Sequence, residues 1–365
     1  MQKHIWQNPK FPQFAFDEGT VGVLLQQIKY EQGLLKGKFS LLDTDACQNV
    51  VAETYVQDII RSSEIEGVRL NLERVRSSVA HQLGLANFNK NSSGYDEESV
   101  VDVTMDAVQN YQGELTEERL FAWHCALFPT GRSGLHKIKV GQYRDDALGK
   151  MQIVSGPEGK EKIYYEAPPA EKISVFMWDL LNYVNTSPYD DLIKAALVHL
   201  WFVIIHPFED GNGRIARAIT DMLLARSENG GKGYYSISAQ INQLRNEYYG
   251  QLEITAGESL DITKWMEWFL RVVLQAMQKS ETTLDKSLWK AKFWQKMGSF
   301  VTNDRQRKVL NKMLDGFDGN LTTAKWAKIC SCSQDTATRD IESLIKNGVL
   351  KREGQARATH YVMAD

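Results

Sequence analysis

Eleven residues, Ala195 to Ile205, carry one strongly polar side chain, His199, and run directly into the dodecapeptide HPFEDGNGRIAR, His206 to Arg217. An apolar run of this length falls well short of the roughly 20 residues that span a bilayer, so it predicts a buried core helix. Pro207 disfavours helical backbone angles at His206, which places that histidine at the helix end with its ring free to face a cavity. Asp210-Gly211-Asn212-Gly213 then predicts a tight loop opening a second helix, which runs to about Ala225 and is stopped by Gly230-Gly231. The centre of the chain is thereby committed to helix, sharp loop and helix.

The loop carries chemistry as well as shape. Glycines let successive backbone N–H groups point into one concavity, and the positive end of the following helix adds to their field, which makes an anion site suited to phosphate. Arg214 and Arg217 are three residues apart and share a face of the first helical turn. Two guanidinium groups at the positive end of a helix repel their surroundings unless an anion joins them. A base, a carboxylate for a divalent cation, a phosphate nest and two arginines thus fall within twelve residues.

Elsewhere the apolar residues recur mostly at helical spacing, so the fold class is mainly α. A length of 365 residues predicts two to three domains, and 43% apolar with 24% charged residues excludes disordered and collagen-like classes. The 43 basic and 46 acidic residues give a charge of −3, which excludes a globally basic nucleic-acid binder. Four cysteines, at 47, 125, 330 and 332, are too few and too scattered for a disulfide framework. The opening segment MQKHIWQNPKFPQF lacks the apolar stretch of a secretory signal. Together these predict a cytoplasmic protein with no membrane partner.

Three segments are expected. Residues 1–95 form an N-terminal helical segment that opens with an aromatic arm (Trp6, Phe11, Phe14, Phe16) and closes at the polar patch 87–98. Residues 96–285 form a helical core interrupted by a β-hairpin, in which Met151 to Val154 and Lys162 to Tyr165 flank the turn signal Ser155-Gly156-Pro157-Glu158-Gly159. Residues 290–365 end in a winged helix-turn-helix, with helices at Thr322 to Ile329 and Asp335 to Lys346 and a wing at Val349 to Arg352 and Thr359 to Met363.

HPFEDGNGRIAR resembles the signature of the Fic family, HPFx(D/E)GNGRxxR, at every fixed position. That resemblance implies transfer of AMP from ATP to a Ser, Thr or Tyr hydroxyl of a target protein, or of the chain itself, within a helical core bearing a β-hairpin flap. It implies that His206 is the general base, that Asp210 holds Mg²⁺, that Gly211, Asn212 and Gly213 cradle the phosphates, and that Arg214 and Arg217 bind the β and γ phosphates. The flap residues Met151, Gln152, Ile153 and Val154 are implied to pair with the target's main chain. The family places an aromatic residue near the adenine, which falls on Tyr248. Where other members follow it with a nucleotide-binding Asn, this chain reads Thr255-Ala256-Gly257. Homodimers with modification in trans are common in the family.

A second feature lies in the helix predicted from about residue 43 to 66. At 100° per residue, Val51, Tyr55, Ile59, Ser62 and Glu66 fall within about 80° of one another, so Ser62 and Glu66 continue the inward face. A carboxylate there needs a cationic partner. Ser62-Ser63-Glu64-Ile65-Glu66-Gly67 is similar to the inhibitory motif of Fic proteins, (S/T)xxxE(G/N), in the class that carries it N-terminal to the signature. The resemblance implies that Glu66 pairs with Arg217 and keeps the γ phosphate from its productive position.

Two alternatives stand beside this reading. Glu66 could orient a water that removes AMP from a modified target, with His206 as proton donor. The C-terminal segment could make the chain a DNA-binding regulator, but its candidate recognition helix, Gln334 to Asn347, sets Asp335, Asp340 and Glu342 against Arg339 and Lys346. That balance disfavours a phosphate backbone and favours protein docking or dimer formation, although Lys351, Arg352 and Arg357 lie in the wing.

Overall fold

A computed structural model of the chain describes residues 4–85, 95–147, 149–155, 162–230, 233–298, 302–314, 316–317, 319–355 and 359–364. It divides into two compact units, Met1–Thr282 and Thr283–Asp365. The expectation of a mainly helical chain holds, and among the described residues the strands form short antiparallel pairs.

The first unit opens with α1 (Glu18–Phe39), α2 (Thr44–Ile65), α3 (Leu72–Gln82), α4 (Tyr95–Gln109) and α5 (Glu117–Leu127). Two hairpins follow, β1 (Arg132–Ser133) with β2 (His136–Lys137), and β3 (Gln152–Ser155) with β4 (Lys162–Glu166). Then come α6 (Ile173–Thr186), α7 (Asp191–Ile205), α8 (Asn212–Ser227), α9 (Ile237–Gln243), α10 (Arg245–Thr255) and α11 (Thr263–Lys296), whose residues to Thr282 belong to this unit.

The central helix is α7. Asp190 caps it through Leu192 N at 2.9 Å, and every residue from Leu192 to Phe202 is buried. A helix apolar on all sides is stable only when other helices surround it, and α6 and α8 pack directly on this one. Trp265 of α11, fully buried, donates its indole N–H to the Ala196 carbonyl at 2.7 Å. The N-terminal aromatic arm lies on the same core, with Phe14 edge-on to Trp201 at 5.6 Å and Trp6 bonded to the Glu166 carbonyl.

The N-terminal segment expected to end near residue 95 is part of this unit, because α2 packs against α3, α8 and α9. Asp43 caps α2, and Gly67 follows its end at φ 77°, a left-handed angle that suits glycine. Most of the polar patch 87–98 lies outside the described residues.

In the second unit α12 (Asp304–Leu314), α13 (Thr323–Cys330) and α14 (Gln334–Lys346) precede the antiparallel pair β5 (Leu350–Glu353) and β6 (His360–Met363). They enclose a core of Trp326, Val309, Leu310, Ile341, Leu344 and Tyr361. The expected acidity of α14 needs correction here. Asp340 is only 5% exposed and accepts from Arg305 Nε at 2.8 Å and Asn303 Nδ2 at 2.8 Å, so its charge is spent inside the unit. Arg357 lies outside the described residues.

Candidate functional site

The sequence between α7 and α8 folds into a loop held by its own side chains. His206 closes α7 in the left-handed region, φ 51° and ψ 59°, its N–H bonded to the Phe202 carbonyl. A non-glycine residue there carries strain of about 1–3 kcal/mol, a cost that persists only where neighbours dictate the geometry. Asn212 supplies part of that grip, donating from Nδ2 to the Phe208 carbonyl at 2.8 Å and accepting the Phe208 N–H at 2.9 Å. The asparagine expected at the phosphates thus spends its buried side chain bracing the loop, and only its backbone N–H remains to face an anion.

Gly211 is left-handed at φ 81°, and a Cβ there would meet the Phe128 ring at 2.8 Å, so both backbone angle and space require glycine. At Gly213 a Cβ would collide with the Glu66 carboxylate. The first turn of α8, from Asn212 to Arg214, presents backbone N–H groups that helix geometry leaves without a carbonyl.

Glu66 lies at the end of α2, and its Oε1 stands 2.8 Å from Arg217 Nη2. Arg217 is 1% exposed and also donates from Nε to Ser62 Oγ at 2.8 Å and from Nη2 to the Ser62 carbonyl at 2.9 Å. Burial alone would lower the guanidinium pKa, but Glu66, joined by Tyr248 and Tyr249, outweighs it and the net direction is upward. Arg217 Nη1 and Arg214 Nε are buried with no hydrogen-bond partner among the described residues. Arg214 rests over the Phe128 ring, 4.9 Å from its centroid. Two guanidinium groups with unused donors beside a helix N-terminus form a site that asks for an anion.

His206 is the base within reach. Its Nδ1 lies 3.3 Å from the Val203 carbonyl, which can only accept, so Nδ1 carries the proton and Nε2 keeps a free lone pair. Burial lowers its pKa to about 4, with Arg144 adding to the fall and Glu66 and Asp210 opposing it. The ring is therefore neutral at pH 7.

Asp210 closes the site. Its carboxylate accepts from the Ser133 hydroxyl of the β1–β2 hairpin and from Gly211 N at 2.5 Å, while His124 Nε2 bonds its carbonyl at 3.1 Å. His124 is fully buried and stacked on Phe208, and it accepts the Gly141 N–H at Nδ1, so Nε2 donates.

Residues 114–224 match the Fic/DOC family. That stretch is a Fic domain. Residues 4–85 match a domain of unknown function, DUF4172. A protein adenylyltransferase Fic of Aedes aegypti is 27% identical over 259 residues, covering 68% of this chain and 45% of the relative. Protein adenylyltransferase fic-1 of Caenorhabditis briggsae is 26% identical over 221 residues, covering 60% of this chain and 40% of the relative. The chain thus spans less than half the length of these curated relatives. In fold it is similar to a Fic family protein of Desulfovibrio desulfuricans G20, with TM-score 0.57, 19% identity, and coverage of 97% of this chain and 98% of the other.

The donor set of this Fic site suits Mg²⁺ carried by a triphosphate. Magnesium usually takes one or two carboxylates and completes its shell with phosphate and water. Among the described residues no cluster of three or more His, Cys, Asp or Glu forms a metal cage. A single carboxylate, Asp210, stands beside the anion nest, and this is the arrangement that mode needs.

Tyr248 departs from its expected place at the adenine. It is 2% exposed, and its ring packs among His199, Trp265 and Trp268. Its hydroxyl is 2.9 Å from His199 Nε2. Thr220 donates to the Ala216 carbonyl and so accepts from His199 Nδ1, which makes Tyr248 the donor to Nε2. A side chain enclosed and committed in this way has no face for a ligand. Its neighbour Tyr249 is 41% exposed and donates to the Ile65 carbonyl at 3.1 Å, at the end of α2. Both tyrosines sit in an ordinary helical pattern, which does not distinguish them.

The β3–β4 hairpin pairs Gln152 with Glu166 and Ile153 with Tyr165, then shifts register before Val154. Met151 lies just before β3, and its carbonyl accepts the Ala167 N–H at 2.9 Å. The turn at 156–161 lies outside the described residues. Sequence reasoning missed Arg144, 3% exposed, which donates to the His206 carbonyl at 2.8 Å. It also missed His124 and Ser133, since each stands in an ordinary loop or helix context with no motif to mark it.

Proposed function

We propose that the chain is a protein adenylyltransferase that moves AMP from ATP to a Ser, Thr or Tyr hydroxyl of a target protein or of itself, and that Glu66 holds it inactive. The observation that carries this reading is the Glu66 carboxylate lodged between Arg217 and Gly213, where the signature residues would receive a triphosphate. A carboxylate and a γ phosphate compete for the same guanidinium donors.

In the active state Arg214 and Arg217 hold the β and γ phosphates, and the backbone N–H groups of Asn212 and Gly213 receive phosphate oxygens. Asp210 holds Mg²⁺, which neutralises phosphate charge when bound. The target hydroxyl oxygen forms a bond to the α phosphorus as the α–β bridging P–O bond breaks. His206 Nε2 accepts the hydroxyl proton and diphosphate leaves with its electron pair. Orientation and charge neutralisation supply most of the rate. The polyanion also raises the depressed pKa of His206 toward the working range.

The target's main chain pairs with the hairpin at Met151, Gln152, Ile153 and Val154. β-Augmentation of this kind holds an extended segment while leaving side-chain identity open. A homodimer that modifies in trans is part of the same proposal. A cytoplasmic setting rests on four unpaired cysteines. No described helix is long and apolar enough to cross a membrane.

A second reading, removal of AMP from a modified target, is supported by the exposure of Glu66, whose side chain is 31% open to water beside the phosphate nest. The second unit is read as a winged helix, with β5–β6 as the wing. Protein docking or dimer formation is favoured over DNA, because the exposed face of α14 balances Asp335 and Glu342 against Arg339 and Lys346. A salt-sensitive mobility shift with duplex DNA would reverse that preference.

Labelled ATP, Mg²⁺ and lysate, incubated with wild type and Glu66→Gly, test the main reading. Label on protein, mapped by mass as an AMP ester and stronger with the variant, is expected. A labelled product of other mass would refute it.

A further inference from the structure

Arg144 belongs to neither the anion site nor the hairpin, yet it touches both. It lies 3% exposed in the segment between the two hairpins, and all three of its guanidinium nitrogens are used. Nε donates to the His206 carbonyl at 2.8 Å, Nη2 to the Pro168 carbonyl at 2.6 Å, and Nη1 to Asp146 Oδ1 at 2.9 Å. Its backbone N–H donates to the Pro207 carbonyl at 2.9 Å. Asp146 in turn accepts the Ala170 N–H at 2.8 Å through Oδ2.

Pro168 and Ala170 follow β4 directly. The far end of this clasp is therefore the root of the β3–β4 hairpin, and the near end is His206, whose ring feels the charges of Glu66 and Asp210. A second pin runs parallel to it, from the Tyr165 hydroxyl in β4 to the Ile204 carbonyl in α7 at 2.9 Å. The guanidinium also meets the negative end of α7, where carbonyls lack helical partners and a cation is favoured. Only a planar fork serves two carbonyls and a carboxylate at once; the lysine ammonium has the charge without that geometry.

His206 needs such support. Its left-handed backbone is strained, and the strain would relax toward the extended region if the carbonyl were free to turn. A turn of the His206 peptide would swing the ring away from any hydroxyl presented on the hairpin. We propose that Arg144 is a positioning residue that locks the hairpin root to the His206 peptide, so that a docked target strand and the general base share one rigid frame. This inference rests on the adenylyltransferase reading and adds to it the coupling between acceptor register and base.

The test uses the full-length chain in a Glu66→Gly background, with single-turnover transfer of labelled AMP onto the proteins that this background labels, and ATP affinity by calorimetry. Arg144→Gln should slow transfer by about 100-fold, the scale expected for misplacement of about 1 Å, while ATP affinity stays within about twofold. Arg144→Lys should recover part of that loss, and Arg144→Met, which keeps the aliphatic stem without donors, should not. Asp146→Asn should fold and give a smaller loss.

Transfer by Arg144→Gln within twofold of its parent overturns the inference. So does a loss of ATP affinity equal to the loss of transfer, which would make Arg144 a support of the whole core. If the Glu66→Gly parent itself labels no protein, the adenylyltransferase reading fails instead, and the two failures are distinguished.

Discussion

Glu66 Oε1 stands 2.8 Å from Nη2 of Arg217, a guanidinium that is itself 1% exposed. Ser62, which accepts from the same guanidinium, offers only neutral oxygens. Glu66→Gly should therefore leave a buried cation without a counterion and lower the unfolding free energy by about 1–3 kcal/mol, less than for a fully enclosed pair because Glu66 is part-exposed. ATP with Mg²⁺ should raise the melting temperature of the variant by more than that of wild type, since the triphosphate supplies the missing anion. Equal shifts in thermal scans of the two proteins would contradict the shared-donor account.

His206→Ala removes the only group here assigned to accept the hydroxyl proton, and no donor to the nucleotide. Transfer in the Glu66→Gly background should fall at least about 100-fold, the lower range for a general base, with the ATP dissociation constant unchanged. Undiminished labelling by the double variant would remove His206 from the mechanism.

The pH dependence follows from the same ring. Its neutral form is the active one, and burial lowers the pKa from 6.5 to about 4. The acid limb of kcat/KM for ATP, which reports the free enzyme, should lie near pH 4–5. Half-maximal activity at pH 6.5 or above would show that the ring is not desolvated as described.

Acid should also weaken the fold through two fully buried histidines. Burial lowers His124 to about 4 and His199 to about 3. A folded pKa below the unfolded 6.5 means that the unfolded chain binds the proton first. Stability is therefore full above pH 6.5 and falls below it, by roughly 1 kcal/mol per pH unit for each ring until the folded pKa is reached. Urea titrations at pH 7.5 and 5.0 measure the difference, and equal midpoints with equal slopes would refute it.

In the second unit, Asp340→Ala should strand Arg305 and Asn303 and cost about 2–3 kcal/mol. Thermal unfolding monitored at the C-terminal tryptophans tests this; a change below about 0.5 kcal/mol would mean that the buried carboxylate is not a structural hub.

How far the sequence reaches differs from residue to residue. The apolar run before His206, Pro207 and the glycine pair are local signals with local consequences, so the α7–loop–α8 frame is legible from them. Glu66 is legible from helical spacing with Ser62 only together with the likeness of the Ser62 to Gly67 stretch to the inhibitory motif, which is what points to Arg217 as its partner. Asn212 was not, since the same residue type serves a phosphate or braces a loop, and the choice depends on Phe208 in three dimensions. Tyr248 and Tyr249 are adjacent and alike, and only the packing of α10 against Trp265 decides which is buried. Arg144 joins the hairpin root to the His206 peptide across distant parts of the sequence, and no periodicity marks such a link. Asp340 counts as surface acidity until the fold turns it toward Arg305.

The central claim is that Glu66 restrains AMP transfer. If the competent state is held near one per cent, a bias of about 2.7 kcal/mol, release can raise the rate by up to about 100-fold. Transfer of labelled AMP from ATP to protein, measured at equal concentrations of wild type and Glu66→Gly at pH 7.5 with Mg²⁺, reads this directly. A rise of at least tenfold in the variant is the predicted result. An equal or lower rate, with ATP still bound and the fold intact, would contradict it.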